Sequence, residues 1–424
     1  MENIKKIIYF AILMMLGIGL YFSVQYNSFN VVSAGIHDNY QRESESLVLS
    51  ALYADKNNIP TQGWRLGYIA SPETNAPDIM FAYDNFEKPG GNQLKFIPYV
   101  SQWGIQSAIF KALGSVFDIK TVIGLKAINS IMFVLTIMIL AILYYRLFNA
   151  TFALIFCISL IFSPWIVPIA RNLYWVPFTW FLPAIFSAMY FLAESVIMKR
   201  IALVMIFISF AIKCMAGYEY ITSITLLTCA PVFLAPYLGG KIHQYNIKDF
   251  VLIFSVCVFS FMVVLVIHAG MRGDSILHGL QNIYEYDVKR RTYGDASHFE
   301  NVEIQKSLNV STWYVLRIYL FDWTTNVVKF ISGSLFPWLL GITLALCIIS
   351  GNKKRIIAFA YVLCIPLSWY ILAKGHSEVH VFINFVLWYM LFVPLMLYLV
   401  VSFVRSAISM LLLRVKASPS LLHK

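Results

Sequence analysis

Three carboxylates, Asp38, Glu43 and Glu45, follow the first long apolar run of the chain, beside His37 and Arg42. A carboxylate fixed just above a membrane surface can take a proton from an incoming hydroxyl while a phosphate departs from a lipid carrier. Asp38 and Glu45 stand seven residues apart and would share one face of a helix, with Glu43 pointing elsewhere. The competing reading is a solvated helix face on which Arg42 pairs with Asp38 four residues back.

Basic and amphoteric groups recur at four further points. Arg171 opens the turn Ala170-Arg171-Asn172-Leu173-Tyr174-Trp175. Its guanidinium fork either matches phosphate oxygens or snorkels to headgroups beside an aromatic belt. Lys213 and Glu219 flank a tight turn within apolar sequence, where ionisable groups are costly and therefore pair with each other or serve a ligand. Lys289, Arg290 and Arg291 form a basic run that is either a solvated turn or an anion contact. In Lys374-Gly375-His376-Ser377-Glu378-Val379-His380 the two histidines stand four apart. That spacing is half of a metal site, but Lys374, His376 and His380 fit phosphate contacts or proton carriers better. Trp64, Tyr68 and Trp103 are placed to stack on sugar rings.

The elements that must position these groups are set by composition. Of 424 residues, 59% are hydrophobic and 12% charged, so lipid is the solvent. Apolar runs of membrane-crossing length fall near 6–24, 122–145, 151–168, 175–193, 200–216, 218–236, 249–269, 328–350, 355–373 and 381–403. The first run follows two lysines and reads as an uncleaved span rather than a signal peptide. Ten spans leave both ends on one side. The segments on that side carry fourteen basic residues, among them Lys241, Lys353, Lys354, Arg414, Lys416 and Lys424, against three acidic ones. That imbalance assigns them to the cytoplasm.

The net charge of +11 is thus topological and excludes a nucleic-acid partner. All six cysteines lie within apolar runs, which argues against loop disulfides and loop metal sites. No Walker-type or Rossmann glycine motif occurs, which argues against an ATP-driven or nucleotide-sugar enzyme on the cytoplasmic side. The other 18 of the 21 acidic residues lie on the outer side, chiefly in segments 25–119 and 270–327. The first begins with a predicted helix from Asp38 to Ala54, has turns around Asn57–Gly63 and Pro89–Gly91, and resumes a helix from Tyr99 to Leu113. The expected architecture is an all-α integral membrane protein, one polytopic domain over 1–424 with two long outer segments.

The acidic motif at His37-Asp38, then Tyr99-Val100-Ser101-Gln102-Trp103-Gly104-Ile105-Gln106, resembles the GT-C class of polytopic glycosyltransferases. So, in general character, do Asn172-Leu173-Tyr174-Trp175, Gly217-Tyr218-Glu219-Tyr220 and Gly375-His376-Ser377. Bacterial members include the serotype-converting glucosyltransferases of O-antigen. The resemblance implies a polyprenyl-phosphate sugar donor, a glycan acceptor, and a catalytic acid in the first outer loop, falling on Asp38 with Glu43 or Glu45 as second carboxylate. Arg171, Arg291, Lys374 and His376 would then hold the leaving phosphate. It further implies the bacterial inner membrane, with a partner enzyme making the lipid-linked sugar and a flippase delivering it. The loop lacks the Asp-x-Asp of the metal-using branch, so no cofactor is assigned. Rival expectations are an O-antigen polymerase and a non-enzymatic lipid-linked glycan flippase.

Overall fold

The computed structural model describes residues 2–70, 77–88, 94–238 and 246–417. The expected turn at Pro89–Gly91 and the basic residues Lys241 and Lys424 lie outside them. All ten apolar runs overlap helical segments, and among the described residues six helices are long and apolar enough to cross a membrane. These are Ile7–Tyr26, Val122–Leu147, Ile221–Leu238, Ile247–Arg272, Lys353–Leu372 and Phe392–Met410. The chain is an all-α, multi-pass membrane protein. Val196–Ala216 has the length but carries Lys199, Arg200 and Lys213.

Local chemistry sets where helices start. Thr121, Asn149, Ser195, Asn246 and Asn352 each accept a backbone N–H of the first helical turn, satisfying donors that lipid cannot. The run at 151–168 is not one helix. Ala150–Ile161 stops before Pro164, which lacks an N–H, and Ser163 Oγ then accepts from Trp165 and Ile166 to start Ile166–Ala170. The run at 381–403 is broken likewise, into Val381–Asn384, a 3-10 stretch Phe385–Tyr389, and the long helix from Phe392.

The first long segment departs from its predicted form. Instead of one helix from Asp38, there are two, Ala34–Asn39 and Arg42–Lys56. Between them Tyr40 is extended and Gln41 adopts a left-handed φ of 54°. The carbonyls of Tyr40 and Gln41 are taken up by the side-chain amide of Asn172, at 2.9 and 3.3 Å. Asp38 and Glu45 therefore share no helix face. A three-stranded antiparallel sheet follows, Gly67–Ala70 between Pro77–Asp78 and Lys95–Pro98. Its strands are too short to show alternation in sequence. Tyr99 continues this sheet through Leu66 O, and the next helix starts only at Ile105. There Gly104 takes φ +90° and donates to Met215 O at 2.9 Å.

The second segment is a chain of short helices: Ile276–Ile283, a π-helical turn Tyr284–Val288, Lys289–Arg291, Val302–Asn309 and Thr312–Phe321. The basic run is thus helical, not a solvated turn. Gly375 lets it approach, since a Cβ there would lie 2.6 Å from Arg290 O.

Candidate functional site

Both long segments converge on one cavity of about 330 Å³. Its floor comes from the turns between helices, with Tyr174, Trp175 and Glu219. One wall is the first segment, through Gln41, Glu43, Tyr68 and Tyr99. The facing wall carries Arg290, Arg291, Asn301 and Glu303, and the connection 374–380 adds His376 and His380.

The cationic side is built around Asp287, which the π-helical turn buries at 5% exposure. Its carboxylate accepts from Arg272, from Arg290 at 2.9 Å, and stands 4.0 Å from Arg291. Burial alone would raise the Asp287 pKa, but the three guanidiniums hold it below the usual carboxylate range. Arg290 also donates to Ser101 Oγ at 3.1 Å. Arg291 reaches Glu219 Oε1 at 3.4 Å. Burial works against its charge, yet Glu219, Tyr99 and Asp287 raise its pKa and keep it charged. Two guanidinium forks thus stand locked on the cavity wall, a geometry suited to phosphate oxygens.

The three carboxylates of the first segment separate in role. Glu45 is fully buried, 2.7 Å from Lys126 Nζ, and accepts the Leu173 N–H at 3.0 Å. It ties the segment to the spanning helix Val122–Leu147 and to the Asn172 turn. Asp38 is 60% exposed and lies outside the cavity lining, 3.4 Å from Arg171. Arg42 donates to its backbone carbonyl, not to its carboxylate. His37 Nε2 donates to Val24 O at 2.9 Å, which leaves Nδ1 to accept from Arg171 at 2.8 Å. Burial lowers the His37 pKa, consistent with this neutral tautomer. Glu43 alone of the three lines the cavity, and it has no ion pair among the described residues.

The remaining predicted residues divide similarly. Glu219, Arg291, His376, His380 and Tyr68 come together in the cavity. Arg171 does not; it belongs to the His37–Asp38 cluster. Lys213 donates to Gly217 O and closes the tight turn, while Glu219 pairs with Arg291 instead. Gly217 is needed there because a Cβ would collide with Glu219 and Gln102 side-chain oxygens. Lys374 is bound to Leu308 O and Val310 O at 2.6 and 2.8 Å, anchoring the second segment. Trp64 packs edge-on against His268, and Trp103 donates to Gly63 O, both away from the cavity. No group of three or more His, Cys, Asp or Glu side chains able to hold a metal occurs among the described residues.

No family model matches the sequence, and no curated protein does. Among solved structures, the apo crystal structure of the Archaeoglobus fulgidus oligosaccharyltransferase is similar over 95% of this chain and 51% of that one. The TM-score is 0.43 and the identity 11%. This chain therefore spans about half the length of that protein. At that distance the likeness assigns no activity, and the functional reading rests on the cavity.

Sequence reasoning missed Asn301, Glu303 and Gln41 as lining residues; it named Arg290 only as part of the basic run, and Tyr99, Tyr174 and Trp175 only within stretches of family-like character, the last two also as an interfacial belt. Arg290 had a signal, its place beside Arg291 in the basic run. Asn301 and Glu303 had none, because only the fold of the second segment brings them to the cavity.

Proposed function

We propose that the chain is a membrane glycosyltransferase of GT-C type, moving a hexose from a polyprenyl-phosphate donor to a cell-surface glycan such as O-antigen. The observation that carries this reading is the cavity itself. Glu43, a carboxylate with no ion pair among the described residues, lines the same 330 Å³ space as Arg290, Arg291, His376 and His380. That volume is within the range of small-molecule sites, roughly 300–1,000 Å³. Glu43 takes the proton of the acceptor hydroxyl, whose oxygen bonds to the sugar's C1. The bond from C1 to the phosphate oxygen breaks and its electron pair stays on the phosphate, where Arg290 and Arg291 meet the developing charge. Tyr68, Tyr99 and Trp175 offer faces for the sugar. Asp38 and Arg171 form a neighbouring ionic cluster, and Glu45 a structural one. The basic residues at the opposite end of the bundle support cytoplasmic termini in a bacterial inner membrane, so that the cavity faces the periplasm.

The test is transfer of radiolabelled sugar from polyprenyl phosphate to glycan in membranes holding matched amounts of the wild type, Glu43→Gln and Asp38→Asn. We expect a loss of about 10²–10⁴-fold for Glu43→Gln and near-normal transfer for Asp38→Asn. The reverse pattern would move the base to Asp38. No transfer by the wild type, with lipid-linked glycan crossing the membrane or growing in chain length, would replace the reading with a flippase or a polymerase.

A further inference from the structure

His376 and His380 are the least explained groups in the cavity. Both Nδ1 atoms are buried and have no hydrogen-bond partner among the described residues. Each unpaired buried polar group costs about 1–3 kcal/mol, so such a pair calls for a ligand. His376 is 6% exposed, and its ring stands 5.3 Å from Trp369 and 6.3 Å from Tyr220. The two imidazoles lie 4.4 Å apart at 51° to each other, too close for both to carry charge.

Charged groups face the pair from several elements. Arg290 and Arg291 come from the basic run, Glu219 from the tight turn and Glu43 from the first segment. The helix Val302–Asn309 adds Glu303 on the cavity wall, while its Lys306 pairs with Glu378 at 3.6 Å. Lys374 is held by Leu308 O and Val310 O. Behind the pair, Tyr319 donates to Ser377 O, Tyr370 to Asn384 O and Tyr220 to Asn384 Oδ1, so none of these hydroxyls serves an imidazole as donor. Burial first disfavours charge on both imidazoles; His380 and then the two arginines add to it at His376, while at His380 Glu219 opposes it and the arginines add to it.

We propose that His376 and His380 form a phosphoryl-oxygen subsite that takes up one proton from solvent as the anion binds. The anion is then held by an imidazole–imidazolium pair together with Arg290 and Arg291. This rests on the donor reading above. An oxyanion of charge −2 reverses the field that the arginines impose on the rings, and the ring separation limits the uptake to one proton for the pair. No covalent bond changes other than the N–H formed. The ligand class is a phosphoryl dianion, whether on a lipid or free.

Inorganic sulfate is the probe for the proton, since its charge is constant from pH 6 to 8. With the detergent-solubilised full chain, the sulfate Kd should weaken about tenfold from pH 6 to pH 7, the slope for one linked proton. In His376→Gln/His380→Gln it should be constant. In the wild type, nitrogen-15 histidine spectra at pH 7 should gain one imidazolium on saturation with sulfate, a readout independent of how well the variant folds. Farnesyl phosphate binding much tighter than inorganic phosphate would identify the lipid source; equal affinity would identify the free ion. A wild-type sulfate Kd independent of pH, or a slope that survives in the variant, overturns the subsite. If sulfate fails to bind while sugar transfer continues, the subsite falls alone; if both fail, the donor reading falls with it.

Discussion

Glu45→Gln separates a structural carboxylate from a catalytic one. Glu45 has no exposure, and Lys126, its partner at 2.7 Å, has a side chain 6% exposed. Removing one member of a buried ion pair costs roughly 3–5 kcal/mol, because the other charge is left in low dielectric. Gln keeps an acceptor for the Leu173 N–H, and Lys126 keeps the Tyr83 hydroxyl at 3.0 Å. The loss should therefore sit at the lower end, about 3 kcal/mol. Adding Lys126→Met removes the stranded charge. Glu45→Gln/Lys126→Met should return to within about 1 kcal/mol of the wild type, since apolar replacement of a buried pair is often neutral. The assay is denaturant unfolding in mixed micelles, followed by tryptophan fluorescence over the full double-mutant cycle. Transfer per folded molecule should be unchanged throughout, because neither side chain lines the cavity. A Glu45→Gln protein with wild-type stability and no transfer would refute the reasoning and put Glu45 on the substrate.

Three further outcomes follow from the cavity wall. Gly375→Ala places a Cβ 2.6 Å from Arg290 O and 3.2 Å from Leu308 Cδ2; overpacking of this kind costs about 1–3 kcal/mol, and the displaced arginines should raise the KM for the lipid donor. Asp287→Asn leaves three guanidiniums without their shared carboxylate; unfolding should show a loss of at least about 3 kcal/mol, and the donor KM should rise as Arg290 and Arg291 lose their anchor. Burial lowers His380 to about 4 against an ordinary value of about 6.5, so between these the folded state binds fewer protons than the unfolded. The His380 contribution is complete above pH 6.5 and is lost as pH falls toward 4, about 3 kcal/mol in all; denaturation midpoints in anion-free buffer should show it, and His380→Gln should remove that part of the slope.

The spans were legible because hydropathy sums over a window and lipid demands long apolar runs. What it could not register was a break costing one or two residues. Pro164 splits one run, and Phe385–Tyr389 tightens another into a 3-10 stretch, with average hydropathy barely altered. The site was legible as a set of residue types but not as an arrangement. Lys374 and Lys213 look as suited to a phosphate as Arg291 does, yet both are spent on backbone carbonyls. That choice depends on which carbonyls the fold leaves unpaired nearby, and no spacing encodes it.

Asp38 gives the sharpest case. Its predicted kinship with Glu45 assumed an unbroken helix, but Gln41 adopts a left-handed φ of 54° and a new helix starts at Arg42, with the amide of Asn172, over a hundred residues away, donating to the Tyr40 and Gln41 carbonyls at the break. The same interruption turns Asp38 toward Arg171 while Glu43 lines the cavity. The break at Gln41, braced by a long-range hydrogen-bonding residue, thus sets the three neighbouring carboxylates on different partners. Asn172→Ala removes no side chain that lines the cavity but frees the backbone of Gln41, Tyr174 and Trp175, which do line it, and should therefore reduce transfer.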